Sequence, residues 1–202
     1  IERRPGHPDN AQAYNYLGVA LAGIGLTDEA HAAFDESHRL APDMAEPLYN
    51  RGVLHAEAGR DRRAAGDFRS AALADPVGTE ALEYLAAVEY RGGRRTAAVT
   101  ALQQALKRRP DDPGLHTALA LAELPENGPQ ASLRALQQVL RQSPRYAPAL
   151  YNAAWLAAGK LQRPQLAADY RERLLEITYD PALRLRAREL LPPRPSPQPE
   201  AG

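Results

Sequence analysis

Residues 14–42 read YNYLGVALAGIGLTDEAHAAFDESHRLAP and contain two short helical patterns on either side of a glycine. The first pattern has the i, i+3, i+4, i+7 spacing of one helix face and consists of Tyr14, Leu17, Gly18 and Leu21. Gly25 interrupts it, and a second pattern with Ala30 and Phe34 follows. Pro42 ends the second pattern, because proline disfavours helix at the residue before it. The stretch therefore predicts two helices joined by a turn.

The same arrangement recurs along the chain with a period of 34 residues. The prolines with this period are Pro8, Pro42, Pro76, Pro110 and Pro144. Small residues recur at Gly18, Gly52, Ala86, Ala120 and Ala154, and large ones at Phe34, Phe68, Leu102, Leu136 and Tyr170. One hairpin of two helices cannot bury both of its faces, whereas stacked hairpins share a continuous core. We therefore expect small residues of one helix to pack against large residues of its partner.

This pattern resembles the tetratricopeptide repeat family, whose 34-residue signature runs W-x2-L-G-x2-Y, then A-x3-F, then P. Here it reads Tyr14-x2-Leu17-Gly18-x2-Leu21, Ala30-x3-Phe34, Pro42. The resemblance covers five units, namely 11–44, 45–78, 79–112, 113–146 and 147–180. The fourth and fifth units depart from the signature, as at Leu166 and Thr178. The resemblance implies an all-α fold, a right-handed α-solenoid of five such hairpins with a C-terminal capping helix.

Helix boundaries follow from caps and breakers along this layout. The predicted helices are 11–24, 27–40, 45–58, 61–74, 79–91, 94–108, 113–123, 129–142, 147–159, 164–177 and a capping helix at 181–191. Asp112-Pro113 and Asp180-Pro181 each place an N-cap acid before a first-turn proline. The proline-rich segment 192–202 predicts an extended, disordered tail. Residue 1 is Ile and Pro8 is already in phase, so residues 1–10 are interpreted as the end of a truncated upstream repeat or a linker.

Composition excludes several classes of function. The 202 residues include 25 Lys and Arg against 25 Asp and Glu, and the zero net charge argues against general polyanion binding. Mean hydropathy is −0.49, which argues against a membrane protein. Without cysteine there are no disulfides, thiolate metal sites or cysteine nucleophiles. The compartment is left open.

Candidate chemistry is sparse. His31, Asp35 and His38 have the i, i+4, i+7 spacing of metal ligands on one helix face, but a polar helix surface is the better interpretation. His55, Glu89 and Glu123 share one position in successive units, and we expect them to be half-buried groups that pair between repeats. No catalysis, cofactor or metal is expected.

Basic residues cluster near the turns between helices. They are Arg60, Arg62, Arg63, Arg91, Arg94, Arg95, Lys160 and Arg163. Such a run is usually a solvated edge, and an anionic partner is the alternative. Nucleic acid is disfavoured because interleaved aromatic residues are missing from this edge.

The resemblance implies that the first helix of each pair lines a concave groove. The residues projected onto it are Asn15, Tyr16, Val19, Tyr49, Asn50, Val53, Tyr84, Ala87, Tyr90, Leu121, Tyr151, Asn152 and Trp155. Exposed tyrosine and tryptophan are common anchors of binding hot spots, and asparagine side chains can pair with a peptide backbone. The alternative is that some of these aromatics only pack between adjacent first helices.

The residue types in the groove disfavour one known specificity. Repeats that clamp acidic chaperone tails need Lys and Arg where this chain has Glu80 and Tyr84. Asn50 and Asn152 also resemble, in part, the asparagine ladder of O-linked N-acetylglucosamine transferases. The leading hypothesis is a non-catalytic protein-interaction scaffold that binds an extended peptide or a partner helix. The alternatives are the substrate-recruiting region of a larger enzyme or secretion or assembly machine, and a scaffold that self-associates through its terminal repeats.

Overall fold

The structure, a computed structural model, describes residues 8–190, with side chains from Asn10 onward. These residues form two compact units that divide between Pro110 and Asp111. The disordered tail expected at 192–202 lies outside the described residues, as do residues 1–7 of the expected N-terminal segment and residue 191 of the expected capping helix.

The first unit consists of three helical hairpins. Its helices are α1 (Pro8–Gly23), α2 (Thr27–Leu40), α3 (Ala45–Glu57), α4 (Asp61–Ala74), α5 (Glu80–Arg91) and α6 (Arg95–Arg108). Each odd-numbered helix packs against the even-numbered helix that follows it, and α2 and α4 also pack against the first helix of the next hairpin. The unit therefore has the stacked-hairpin arrangement that the repeat predicts.

Small residues of the first helices do face large residues of the second helices. A Cβ atom on Gly18 would lie 2.5 Å from the ring of Phe34, which is closer than any real contact. Phe34 is fully buried, and so is Phe68 opposite Gly52. Interiors packed to this density tolerate no additional methyl group without rearrangement. The glycine–phenylalanine series of the sequence thus corresponds to close helix contacts in hairpins 1 and 2.

The turns inside the hairpins need the left-handed backbone region. Gly25, Gly59 and Gly93 have φ values of 81°, 69° and 76° and stand 34 residues apart. Glycine adopts this region at no steric cost, because it has no Cβ atom. The same turn is therefore repeated in all three hairpins of the first unit.

The second unit contains two further hairpins and a terminal helix. Its helices are α7 (Pro113–Ala122), α8 (Leu124–Gln142), α9 (Ala147–Trp155), α10 (Pro164–Ile177) and α11 (Pro181–Glu189). Asp112 caps α7 by accepting from the backbone N–H groups of Gly114 and Leu115, as its sequence predicts. Ala187 of α11 is completely buried against the core formed by α8, α9 and α10. The described residues are therefore all-α, and α11 closes the end of this core.

Three helix boundaries differ from the sequence prediction by three residues or more. Helix α1 begins at Pro8 rather than at residue 11. Helix α8 begins at Leu124 rather than at 129, because a short helical segment precedes Gly128, whose φ of 78° interrupts the helix. Helix α9 ends at Trp155 and continues as a π-helical turn over Leu156–Lys160. Both later changes fall in the two units whose sequences depart from the repeat signature.

Candidate functional site

A cleft of about 830 Å³ opens in the first unit along α1, α3 and the start of α5. The predicted groove residues that line it are Asn15, Tyr16, Val19, Tyr49 and Asn50. Part of its wall also comes from Ala71, Ala74 and the connection between α4 and α5. Concave sites of this size with a few convergent polar groups are typical of ligand-binding surfaces. The cleft is therefore the strongest candidate site in the part of the chain that the structure describes.

Asn15 and Asn50 join the first helices of hairpins 1 and 2. The side-chain amide of Asn50 donates a hydrogen bond to the Oδ1 atom of Asn15 over 2.9 Å. Asn15 is only 4% exposed, whereas Asn50 is half-buried. The expected groove residue Asn15 thus forms the floor of the cleft, where its amide oxygen is already engaged.

Tyr16 and Val19 form the exposed wall of the cleft on α1. The Tyr16 side chain is 66% exposed, and Val19 is 49% exposed. They lie on the same helix as Asn15 and line the same cleft. An exposed tyrosine beside an engaged amide pair offers apolar area together with a polar hydroxyl.

Tyr49 lines the cleft and also packs against other aromatic rings. Its ring lies 5.8 Å from that of Phe68 and 5.4 Å from that of Tyr84, in an edge-on arrangement with Tyr84. Tyr84 is 44% exposed and also contacts Phe68. Burial, with a smaller contribution from the Tyr84 hydroxyl, raises the pKa of Tyr49 to about 12. Truncating Tyr49 would therefore disturb the core as well as the cleft.

The other predicted groove residues are not among those that line the cleft. Val53 is half-buried on α3, and Ala87 and Tyr90 are exposed on α5. In the second unit, Leu121 is half-buried on α7, and the remaining three residues lie on α9, namely Tyr151, Asn152 and Trp155. Tyr151 and Trp155 pack against the second unit's core, and Asn152 donates to the carbonyl oxygen of Pro148. Tyr151 and Trp155 thus have packing contacts, and the Nζ atom of Lys160 also lies 5.8 Å from the centre of the Trp155 ring.

All the charged residues that line the cleft are acidic. Four of its sixteen lining residues are carboxylates, namely Asp43, Glu46, Asp75 and Glu80, and none of the sixteen is Lys, Arg or His. The N–H groups of Val77 and Gly78 donate to Asp75 and hold the pKa of its carboxyl below the usual value. The site therefore presents negative potential beside exposed aromatic area.

The structure contains a polar cluster between α2, α3 and α4 that the sequence pattern did not predict. The rings of His31 and His55 stack with centroids 4.5 Å apart, although these residues are 24 positions apart and so outside the repeat period. Arg51 hydrogen-bonds to Asp67 over 2.5 Å and also pairs with Asp35. Burial is the main cause that lowers the pKa of both histidines. No signal of fixed spacing could have found this cluster.

The metal-like spacing at His31, Asp35 and His38 does not correspond to a cluster of ligands. The Nε2 atom of His31 lies 2.8 Å from a guanidinium nitrogen of Arg60, and Asp35 pairs with Arg51. Within residues 8–190, no three His, Asp or Glu side chains converge in a way that could hold a metal ion. His31 and Asp35 instead take part in contacts between the first and second hairpins.

Pairing between repeats occurs at Glu89 but not at Glu123. Glu89 is 3% exposed, and its carboxylate accepts hydrogen bonds from Arg69 of the preceding hairpin and from Arg94. Glu123 accepts from Asn127 within its own hairpin. The shared sequence position therefore has different partners in successive units, because the connection after α7 differs from the others.

The basic edge is partly neutralised. Arg91 forms an ion pair with Asp61, and Arg94 forms one with Glu89. Arg62, Arg63 and Arg95 remain exposed. These pairs reduce the positive charge that the sequence places along this edge.

None of the helices described, from Pro8 to Glu189, is both long and apolar enough to cross a membrane.

A sequence model of the tetratricopeptide repeat family matches residues 1–45 and 49–113, which is more than half of the chain.

Solved structures share the fold. A tetratricopeptide repeat protein from Parabacteroides merdae matches with a TM-score of 0.75 and 18% identity, covering 93% of this chain and 73% of that one. PilF of Pseudomonas aeruginosa matches with a TM-score of 0.69 and 19% identity, over 90% of this chain and 84% of its own. YrrB, a tetratricopeptide repeat protein with an unusual peptide-binding site, matches with a TM-score of 0.63 and 22% identity, covering 87% and 90%. Together with the repeated hairpins, the family match shows that the chain belongs to the tetratricopeptide repeat family.

Proposed function

We propose that the first unit binds an extended peptide of a partner protein in the cleft along α1, α3 and α5. Tetratricopeptide repeat proteins are in general non-catalytic scaffolds for protein–protein interaction, and this chain belongs to that family. The proposal adds the place of binding and the form of the ligand. It concerns residues of the first unit only.

The observation that carries the proposal is the position of Tyr16 beside the Asn15–Asn50 pair in one cleft. Tyr16 offers an exposed aromatic ring that can anchor a partner side chain. Asn50 is half-buried, and an amide that bonds to Asn15 retains acceptor and donor capacity for a peptide group. An extended peptide, which has unpaired N–H and C=O groups, suits such a combination.

The similarity to YrrB supports a peptide as the ligand. That protein is described as having an unusual peptide-binding site, and its structure covers most of this chain. At 22% identity the similarity shows the fold alone.

The proposal includes no chemical reaction. The buried groups that could act as acid or base are engaged in structural contacts: His31 and His55 stack on each other, and Glu89 pairs with two arginines. General acid–base catalysis requires a group that reaches the substrate. We therefore propose a binding role without catalysis.

The test uses peptides selected from a random display library on the full chain, with affinities measured by fluorescence anisotropy. We expect Tyr16→Ala to weaken the selected peptides by roughly thirtyfold, which corresponds to about 2 kcal/mol for a hot-spot aromatic. The matched control is Tyr179→Ala, which removes another tyrosine that is 91% exposed but lies in the second unit. Equal losses of affinity in the two tyrosine variants would contradict the proposal. So would a loss of affinity that occurs only in the double variant of the basic edge, Arg62→Ala with Arg95→Ala.

A further inference from the structure

We propose, as a refinement that rests on the proposed function, that the cleft selects peptides rich in arginine or lysine. The chain as a whole is balanced, with 25 basic and 25 acidic residues. The cleft is not, since its sixteen lining residues contribute four carboxylates and no basic group. This contrast places a local negative potential on the surface where the partner is proposed to lie.

Three of the four carboxylates are accessible to a ligand. Asp43 precedes α3 and Glu46 lies in its first turn; both are exposed and form no ion pair within the described residues. Glu80 is exposed too and accepts one hydrogen bond from the N–H group of Thr79, which leaves its other oxygen available. Asp75 is occupied by backbone N–H groups and contributes charge rather than a free pairing site.

Two arginines at the end of the first unit, Arg108 as the last residue of α6 and Arg109 directly after it, already have partners. Arg108 donates hydrogen bonds to the carbonyl oxygens of Ala72, Asp75 and Gly78. Arg109 forms an ion pair with Glu83. Arg108 thus places a positive charge beside Asp75 and helps to lower the pKa of that carboxyl, whereas Asp43, Glu46 and Glu80 remain exposed.

The aromatic wall fits the same ligand. A guanidinium or ammonium group is attracted to the face of a tyrosine ring, and Tyr16 is two-thirds exposed beside these carboxylates. Arginine can in addition pair with a carboxylate through two parallel hydrogen bonds. A basic peptide can therefore interact favourably with both the Tyr16 ring and the carboxylates of the cleft, whereas these carboxylates repel an acidic peptide.

The experiment compares three fluorescein-labelled peptides of about twelve residues, with repeating Gly-Arg-Ala, Gly-Gln-Ala and Gly-Glu-Ala sequences, on the full chain. We expect the arginine peptide to bind at least about tenfold more tightly than the glutamine peptide at low salt, and the glutamate peptide to bind least. The difference should shrink at roughly 0.5 M salt, because exposed charges are then screened within a few ångströms.

Two matched triple variants test whether the carboxylates of the cleft cause the preference for the arginine peptide. Asp43→Asn with Glu46→Gln and Glu80→Gln should reduce the affinity for the arginine peptide by about tenfold, since each exposed ion pair contributes modestly. The control is Asp28→Asn with Glu29→Gln and Glu57→Gln, which neutralises the same residue types at exposed positions outside the cleft. We expect it to change the affinity by less than about threefold. Circular dichroism of both variants checks that they fold.

Several outcomes would overturn the refinement. Equal affinity for the arginine and glutamine peptides would do so, as would equal losses in the two triple variants. If binding depends on Tyr16 but not on peptide charge, the cleft remains the binding site and only the preference for basic peptides fails. If Tyr16→Ala and the cleft triple variant both leave the arginine peptide unaffected, the peptide binds elsewhere and both proposals fail.

Discussion

Gly52 of α3 lies so close to Phe68 of α4 that a Cβ atom in its place would be 2.9 Å from the Cε1 atom of the ring. Phe68 is completely buried, and its ring also contacts Tyr49 and Tyr84, so a shift of the ring would disturb these contacts too. The glycine thus sets the distance between the two helices, and through Phe68 it supports the floor of the aromatic cluster beside the cleft.

Gly52→Ala should therefore destabilise the protein by about 1–3 kcal/mol, the usual effect of overpacking a tight core contact. The matched control is Gly66→Ala in the middle of α4, where a Cβ atom would meet nothing within 4 Å. That substitution should be neutral or stabilise by up to about 1 kcal/mol, since alanine is the better helix former. Urea unfolding of both variants provides the comparison, and equal effects would contradict the close contact.

Gln162→Gly should stabilise the second unit by about 1 kcal/mol. Gln162 is the only described non-glycine residue with a positive φ, at 53°, in the turn before α10. The left-handed region costs an L-residue roughly 1–2 kcal/mol, which glycine avoids. Its side chain makes one exposed hydrogen bond, to Gly159 over 3.3 Å.

The control is Gln165→Gly, in the exposed first turn of α10, which should destabilise by up to about 1 kcal/mol. Thermal unfolding distinguishes the two, and a lower melting temperature for Gln162→Gly would contradict the strain.

Stability should fall as the pH decreases below about 6.5. Burial lowers the pKa of His31 and His55 in the folded state from the usual 6.5, with added effects of Arg60 on His31 and of His31 on His55. The unfolded chain therefore binds more protons than the folded chain just below pH 6.5, and stability decreases as the pH falls. Asp35 and Asp67 oppose the shift, while Arg51 favours it.

Urea unfolding between pH 7.5 and 5.5 tests this dependence while keeping above the range in which ordinary carboxylates titrate. The variant that replaces both His31 and His55 with glutamine should lose most of the slope. His116→Gln, in the second unit, serves as the control and should retain it. An unchanged slope in the double variant would show that other groups cause the loss of stability.

The repeat period was enough to predict the hairpins but not their irregular joints. Projection by 34 residues places glycine at each turn as far as Gly93, and the next glycine of this kind, Gly128, lies 35 residues further. A period cannot anticipate an added residue. It also cannot predict the π-helical turn, in which the N–H group of Leu161 donates to the carbonyl oxygen of Leu156. The sequence there contains no residue that distinguishes this bond from that of an ordinary helix.

Only part of the candidate cleft could be predicted from the sequence, since five of the thirteen projected groove residues line it, and its contacts could not be predicted. The repeat register places Tyr16 opposite Asn50 and Asn15 opposite Tyr49. The hydrogen bond instead joins Asn15 to Asn50, which are 35 residues apart. Which of two adjacent side chains reaches across depends on how one helix is rotated against the next, and a sequence pattern with a tolerance of one residue does not resolve that rotation.

The side chain of Arg108 crosses from the third hairpin to the second. It belongs to α6, yet it binds the last carbonyls of α4 and the connection that follows, at Ala72, Asp75 and Gly78. In a linear array of repeats, cooperativity depends on such nearest-neighbour terms. Residues at and after the end of α4 thus accept hydrogen bonds from the last residue of α6, so we expect the second and third hairpins to unfold together. Through Asp75 and Gly78, Arg108 also holds one wall of the cleft in place from outside it.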